Sequence, residues 1–183
     1  MTRSPGPMVH YYVAASLDGF IATPDGGVAW LDPFNASDYG FDAFLGRIDT
    51  VVMGRTTYQQ ALTFPGPWPY AGKRVIVLSS NPHVQMQHGA QRRHGDVGPL
   101  AAQLRQASQG DIWVVGGGVT ARAFLEAGAL DRVDLYLIPV ALGKGIPLFG
   151  SAPTPALSLR SSRAYENSVL ELIYDVPHIR VRA

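Results

Sequence analysis

Short β-branched runs alternate with helical patterns along most of this chain. Up to residue 131, the predicted strands are 9–15, 50–53, 74–78 and 112–115, and a helical pattern follows each of them before the next strand begins. Regular alternation of strand and helix is typical of β/α units, which build a mainly parallel sheet with helices on both faces. The sequence therefore predicts an α/β fold with three layers.

The pattern changes after residue 131. The runs 133–138, 156–165 and 169–176 are predicted to be strands, and no helical pattern separates them. Strands joined without helices favour antiparallel pairing, so we expect them to extend the same sheet and make it mixed. A chain of 183 residues favours one domain. We expect a flexible leader at 1–7 and a single domain at 8–183.

Composition excludes several classes of protein. The net charge is +1, which provides no strong field for a nucleic acid or an anionic membrane. The chain has no cysteine, which excludes a disulfide scaffold, a thiolate zinc site and a cysteine nucleophile. Its five histidines lack the spacing of a metal motif. We therefore expect no metal site. No apolar run approaches the length of a membrane-spanning helix, so we expect a cytoplasmic protein.

Three consecutive glycines form the most informative motif. Gly116, Gly117 and Gly118 follow the buried-type run 112–115 and precede a helical pattern at 120–127. Glycines let a phosphate approach the backbone closely, and free N–H groups at a helix start bind its charge. A tight turn without a ligand is the alternative interpretation. The segment also differs from the ordinary dinucleotide fingerprint, because it is not G-x-G-x-x-G.

Two further strand ends carry similar chemistry. Gly54, Arg55, Thr56 and Thr57 follow the run 50–53, and the arginine fork suits a phosphate. Ser79 and Ser80 follow Leu78, at the end of the run 74–78. A solvated arginine and an ordinary loop are the alternatives when each segment is taken alone. Together, three such strand ends favour one long ligand with several phosphates, such as a dinucleotide.

Other residues are candidates for the substrate side. The loop after the first strand contains Asp18, and it could cover a planar ring or simply form a turn at Asp-Gly. Asp38 falls in a helix predicted at 37–46, where it could face a heterocycle or only stabilise the helix dipole. Trp30 and Phe41 lie nearby in sequence, and Lys144 lies in a glycine-rich loop where it could contact an anionic substrate.

These motifs occur in an order that resembles a known superfamily. Their sequences are SLDG at 16–19, VMGRTTY at 52–58, VLSS at 77–80, VGGG at 115–118 and LGKGIPLF at 142–149. The chain is similar to the dihydrofolate reductase-like superfamily, and most similar to the C-terminal reductase domain of the bifunctional riboflavin biosynthesis enzyme. The resemblance extends from about residue 8 to 176, although the loop 24–36 departs from dihydrofolate reductase.

The resemblance implies an NADPH-binding domain with a sheet of about eight strands. It implies contacts to the nicotinamide from Ala14, Ala15 and Ile21. It assigns the phosphates and adenosine to Gly54, Arg55, Thr56, Thr57, Leu78, Ser79, Ser80, Gly116, Gly117, Gly118, Val119 and Thr120. It also implies a cis peptide between Gly116 and Gly117.

The implied activity is an NADPH-dependent reductase similar to 5-amino-6-(5-phosphoribosylamino)uracil reductase. Asp38 or Asp18 would protonate or orient the substrate, and Lys144 would bind its phosphate. Trp30, Phe41 and Asp38 suggest an alternative, a pterin or dihydrofolate reductase. A further alternative is an NADPH-binding protein that does not catalyse a reaction. The resemblance also implies a homodimer.

Overall fold

The computed structural model describes residues 6–37, 39–150 and 155–177. Its strands are β1 Val9–Ser16, β2 Phe20–Ala22, β3 Ile48–Gly54, β4 Arg74–Leu78, β5 Gln91–Arg93, β6 Asp111–Val115, β7 Arg132–Ile138, β8 Ile146–Pro147, β9 Ser158–Ala164 and β10 Leu170–Asp175. The α-helices are α1 Phe41–Arg47, α2 Arg55–Ala61, α3 Val97–Ala107 and α4 Gly118–Glu126, and a short 3-10 helix spans Ala29–Phe34.

Eight strands form one mixed sheet in the order β5-β4-β3-β6-β1-β7-β10-β9. All neighbours from β5 to β7 are parallel, whereas β10 and β9 are antiparallel additions at one edge. The predicted mixed, mainly parallel sheet is confirmed. The expected antiparallel pairing is confirmed between β7, β10 and β9. On its other side β7 is parallel to β1, because α4 carries the chain back across the sheet before β7 begins.

Apolar residues on both faces of the sheet make the three layers. One core contains Tyr11 and Ile112 from the sheet, together with Leu104 of α3 and Phe124 of α4. The core on the other face contains sheet residues and side chains of α1 and α2. Because both faces are covered, the central strands are apolar along most of their length. No helix of the described ranges is long and apolar enough to cross a membrane.

Helix α1 begins later than the sequence predicted. It starts at Phe41 after Gly40, whose φ of 74° is in the left-handed region that favours glycine. Ser37, the first residue of the predicted helix, lies outside α1, and its hydroxyl accepts a hydrogen bond from the Asn167 side chain at 3.1 Å. The predicted helix at 37–46 is therefore wrong at its first residues.

A buried histidine links three strands of the sheet. The His10 ring on β1 is 1% exposed, and its Nδ1 lies 2.7 Å from Oδ2 of Asp134 on β7. Its Nε2 lies 3.4 Å from a carboxylate oxygen of Asp111 on β6. Asp134 is itself 5% exposed, so His10 is the partner that compensates for its burial.

Candidate functional site

Three strand ends meet at one edge of the sheet. β4, β3 and β6 are neighbours, and the parallel pairing places their carboxyl ends side by side. Leu78 and Gly54 end β4 and β3, and Gly116 follows the last residue of β6. Ligands of open α/β sheets bind outside the carboxyl ends of the strands. The structure thus brings together the three segments that the sequence suggested for phosphates.

The ends of β3 and β6 are also in direct contact. A Cβ atom added to Gly116 would lie 2.9 Å from Cγ2 of Thr57, and one added to Gly54 would lie 3.0 Å from Oγ1 of Thr120. Both distances are shorter than ordinary van der Waals contacts, so neither position has room for a side chain without movement of a neighbour. The glycines are required by close approach between the two strand-to-helix connections.

The glycine run adopts a conformation that other residues rarely adopt. Gly116 and Gly117 have φ values of 54° and 55°. The described residues contain no cis peptide bond. The expectation of a cis bond between these two glycines is therefore wrong. Left-handed dihedrals at consecutive glycines provide the sharp turn instead.

Gly117 is the N-cap of helix α4, and no side chain caps this helix. The first N–H groups of a helix have no partner within it, and together with the helix dipole they favour an anion. Val119, in the first turn, is 81% exposed although it is apolar. These features leave the start of α4 available to a ligand with a phosphate group.

The glycine-rich loop at 139–150 packs against this helix start. A Cβ atom on Gly118 would lie 2.2 Å from the carbonyl oxygen of Pro147 and 3.2 Å from that of Leu148. In the same loop, a Cβ atom on Gly145 would lie 2.3 Å from the carbonyl oxygen of Ala22. Strand β8 of this loop pairs with β2, so the loop, the β2 strand and α4 form one wall.

A cleft of about 790 Å³ opens at this edge of the sheet. Most of the residues predicted to bind the cofactor line it: Ala14, Ile21, Gly54, Arg55, Thr56, Thr57, Leu78, Gly116, Gly117, Gly118, Val119 and Thr120. Arg55 is the single charged side chain among the described lining residues, and it forms no ion pair with a described carboxylate. A cation that has no ion-pair partner among the described residues is therefore available to an anionic ligand.

Other predicted site residues lie outside this cleft. Ala15 is fully buried in the core, and Ser79 and Ser80 continue beyond Leu78 without lining the cavity. In that loop, the Ser79 hydroxyl accepts a hydrogen bond from the Asn81 amide at 3.1 Å. The candidate substrate residues Trp30, Phe41 and Lys144 do not line the cleft either. Asp38 lies outside the described residues.

Asp18 is engaged in holding the glycine-rich loop. Its carboxylate accepts hydrogen bonds from the Ser16 hydroxyl at 2.6 Å and from the amides of Leu142 and Gly143 at 3.1 Å and 2.7 Å. These hydrogen bonds hold the pKa of the Asp18 carboxyl group below its usual value, and the bond from Ser16 has the largest effect. A carboxyl group with a lowered pKa is a weak proton donor at neutral pH, so the contacts favour a structural role over the predicted catalytic one.

The other residues that line the cleft were not identified from the sequence. These residues are Tyr12, Val13, Ala22, Gly26, Val28, Leu31, Gln60, Ala61, Phe64, Tyr70, Trp113, Val115, Ala123 and Ile146. Most are apolar or aromatic and resemble core residues in sequence. Burial raises the pKa of Tyr70 to about 12, so this side chain is neutral at physiological pH. Among the described residues, no group of three or more potential metal ligands lies together.

Comparisons with known proteins agree with this geometry. The model of the RibD C-terminal domain family matches residues 7–170. The uncharacterized protein YwjB of Bacillus subtilis (strain 168) is 35% identical over 139 residues, which are 75% of this chain and 80% of YwjB. A crystal structure from Shewanella sp. PV-4, of a protein provisionally assigned to riboflavin biosynthesis, is 31% identical with a TM-score of 0.82. The match covers 93% of this chain and 99% of that one.

A more distant structure supports the fold alone. Dihydrofolate reductase from Enterococcus faecalis, solved in complex with NADP(H), is 22% identical with a TM-score of 0.66. The match covers 93% of this chain and 95% of that enzyme. The chain belongs to the RibD C-terminal domain family, a family of NADPH-dependent reductases with the dihydrofolate reductase-like fold.

Proposed function

We propose that this protein is an NADPH-dependent reductase that transfers a hydride to a small heterocyclic or ribosylamino substrate. One observation carries the proposal: two neighbouring strand ends with phosphate-binding chemistry, those of β3 and β6, converge on a single cleft that the end of β4 also borders. Members of the family bind NADP(H), and the residues of this cleft fit that group. The fit rests on the close approach of Gly54 and Gly116 to neighbouring threonines, which leaves backbone rather than side chains facing the cleft.

The cofactor would be held mainly by backbone groups and one arginine. The uncapped start of α4 would bind the pyrophosphate through its free N–H groups. Arg55, with Thr56 and Thr57 at the start of α2, would bind a phosphate on the adenosine side. Ala14 of β1 and Ile21 of β2 both line the cleft, and they would border the nicotinamide.

In the proposed reaction, the chain would orient the acceptor and surround it with mostly apolar side chains. When bound, NADPH provides the hydride, and the protein orients the acceptor beside it. The cleft walls next to Ala14 are mostly apolar and would offer few hydrogen-bonding groups to water beside the reacting carbon. Because Asp18 is occupied by the loop, Asp38 is the residue proposed to orient or protonate the substrate.

Replacement of Arg55 and Ser80 by alanine is expected to weaken NADPH binding. Loss of a charge-assisted contact to a phosphate costs about 1.5–3 kcal/mol, which corresponds to roughly a ten- to hundredfold higher Kd. Titration of tryptophan fluorescence measures this, because Trp113 lines the cleft. NADH titrated against the same variant is the control, and its affinity should change less because it lacks the 2′-phosphate.

Arg74→Ala is a matched control for the loss of a positive charge. Arg74 opens β4 and does not line the cleft, so its replacement should leave the affinity for NADPH unchanged. Unchanged affinity in the Arg55 and Ser80 variant would remove the assignment of these two residues. Absence of NADPH and NADH binding to the wild-type protein would remove the proposed function itself.

We also propose that the protein forms a homodimer through the β9 edge of the sheet. Every residue of β9 is exposed, and Leu159 on this strand is 55% exposed. An exposed edge strand presents unpaired backbone groups that another strand can bind. Sedimentation should give twice the mass of 19.7 kDa, and Leu159→Lys should shift the protein toward the monomer. A wild-type monomer at micromolar concentration would contradict the proposal.

A further inference from the structure

We infer that the acceptor substrate is an uncharged compound with a planar ring and without a phosphate group, an inference that rests on the proposed function. The substrate class of this chain would then differ from 5-amino-6-(5-phosphoribosylamino)uracil, the compound for which the reductase activity of a Thermotoga maritima enzyme with the same fold is named. The part of the cleft beyond the glycine turns and Arg55 supports this difference.

Rings and aliphatic side chains line that part of the cleft. Tyr12 and Trp113 are in ring contact on the sheet, with centroids 6.1 Å apart. Phe64 enters from the loop after α2, and Val28 and Leu31 enter from the segment of the 3-10 helix. Aromatic walls stabilise planar ligands by stacking and by burial of apolar surface.

Two polar groups among these side chains already have hydrogen-bond partners within the protein. The Trp113 indole donates a hydrogen bond to the carbonyl oxygen of Tyr12 at 3.1 Å. The side-chain amide of Gln60 donates to the carbonyl oxygen of Gly26 at 2.7 Å. Tyr70, which burial keeps neutral, adds no charge. A ligand in this part of the cleft therefore meets uncharged groups.

Among the described residues, the two cations that the sequence suggested for a phosphate, Arg55 and Lys144, are not placed to bind one on the substrate. Arg55 stands at the start of α2, beside the glycine turns, where the cofactor phosphates are proposed to bind. Lys144 is exposed on the glycine-rich loop and does not line the cleft. Transfer of a doubly charged phosphate from water into an apolar site is strongly unfavourable without a compensating cation. The described part of the cleft therefore selects against a phosphorylated acceptor.

A matched pair of probes tests this inference. The wild-type protein is first saturated with NADP⁺, and that titration by itself reports whether the proposed cofactor binds. It is then titrated in a calorimeter with 5-amino-6-(5-phosphoribosylamino)uracil and with the same compound lacking its phosphate. We expect the uncharged compound to bind at least about tenfold more tightly, because the phosphate would lose its hydration without gaining a cation.

Two alanine variants test whether the uncharged probe binds in this part of the cleft. Phe64→Ala removes a ring that lines the cleft and is already 44% exposed, so it should weaken the uncharged probe about tenfold while leaving the affinity for NADP⁺ unchanged. Leu17→Ala is the matched control, since Leu17 is 64% exposed and lies outside the cleft.

Three results would overturn the inference. The first is equal or tighter binding of the phosphorylated compound. The second is binding of neither compound to a protein that does bind NADP⁺. The third is a loss of affinity for the phosphorylated compound in Lys144→Ala, which would show that this lysine reaches the substrate.

Discussion

Gly118→Ala is expected to raise the Kd for NADPH by about tenfold to a hundredfold and to destabilise the fold. The added Cβ atom would lie 2.2 Å from the carbonyl oxygen of Pro147, and backbone on both sides leaves it no room. The start of α4 and the glycine-rich loop must separate, and overpacking of this kind costs about 1–3 kcal/mol. Fluorescence titration gives the Kd, and urea unfolding gives the free energy.

Gly46→Ala is the matched control for this substitution. Gly46 lies in helix α1, and an added Cβ atom would meet nothing within 4 Å. Alanine in a helix interior is favoured over glycine by about 0.8–1 kcal/mol, so this variant should be as stable as the wild type or more stable. If Gly118→Ala binds NADPH like the wild type, the contact between α4 and the loop does not position the phosphate site.

His10→Ala is expected to lower the free energy of unfolding by about 3–5 kcal/mol. The substitution removes the 2.7 Å contact to Asp134 and leaves that buried carboxyl group without its partner on β1. Removal of one member of a buried polar pair costs this much because the other group stays desolvated. Whole domains are stable by only about 5–15 kcal/mol, so the variant should unfold at much lower urea concentration.

Two further variants separate loss of the pair from loss of volume. His10→Leu combined with Asp134→Leu removes both polar groups, and it should recover a large part of the stability that His10→Ala loses. His94→Ala, at an exposed position, should change the free energy of unfolding by less than about 0.5 kcal/mol. If His10→Ala is as stable as His94→Ala, the contact between His10 and Asp134 contributes little to the fold.

The strand-end half of the cleft was predictable because its chemistry is local. A glycine after an apolar strand is visible in the sequence, and parallel pairing brings such strand ends together. The contacts of Thr57 with Gly116 and of Thr120 with Gly54 confirm the predicted proximity. Their roles in binding the cofactor stay predictions.

The proposed substrate half was not predictable because it depends on contacts between distant segments. Val28, Phe64 and Trp113 are apolar, and sequence alone does not separate a cleft wall from a core. Strands β2 and β8 have three and two residues, too few for a periodic pattern, and they set the course of the glycine-rich loop. That course leaves Lys144 outside the cleft and engages the Asp18 carboxylate in hydrogen bonds with the loop. The structure therefore does not favour the substrate-binding role predicted for Lys144 or the catalytic role predicted for Asp18.

The two halves of the cleft come from different kinds of chain segment, and this separation affects how the protein can diverge. The proposed cofactor half consists of strand ends and close glycine contacts, where most substitutions disturb the sheet. The other half includes Val28, Leu31 and Phe64, which lie on connections outside the main sheet. Connections accept substitutions more readily than strands do. New ligand preferences can therefore evolve by changes in these connections while the proposed cofactor half of the cleft is inherited intact.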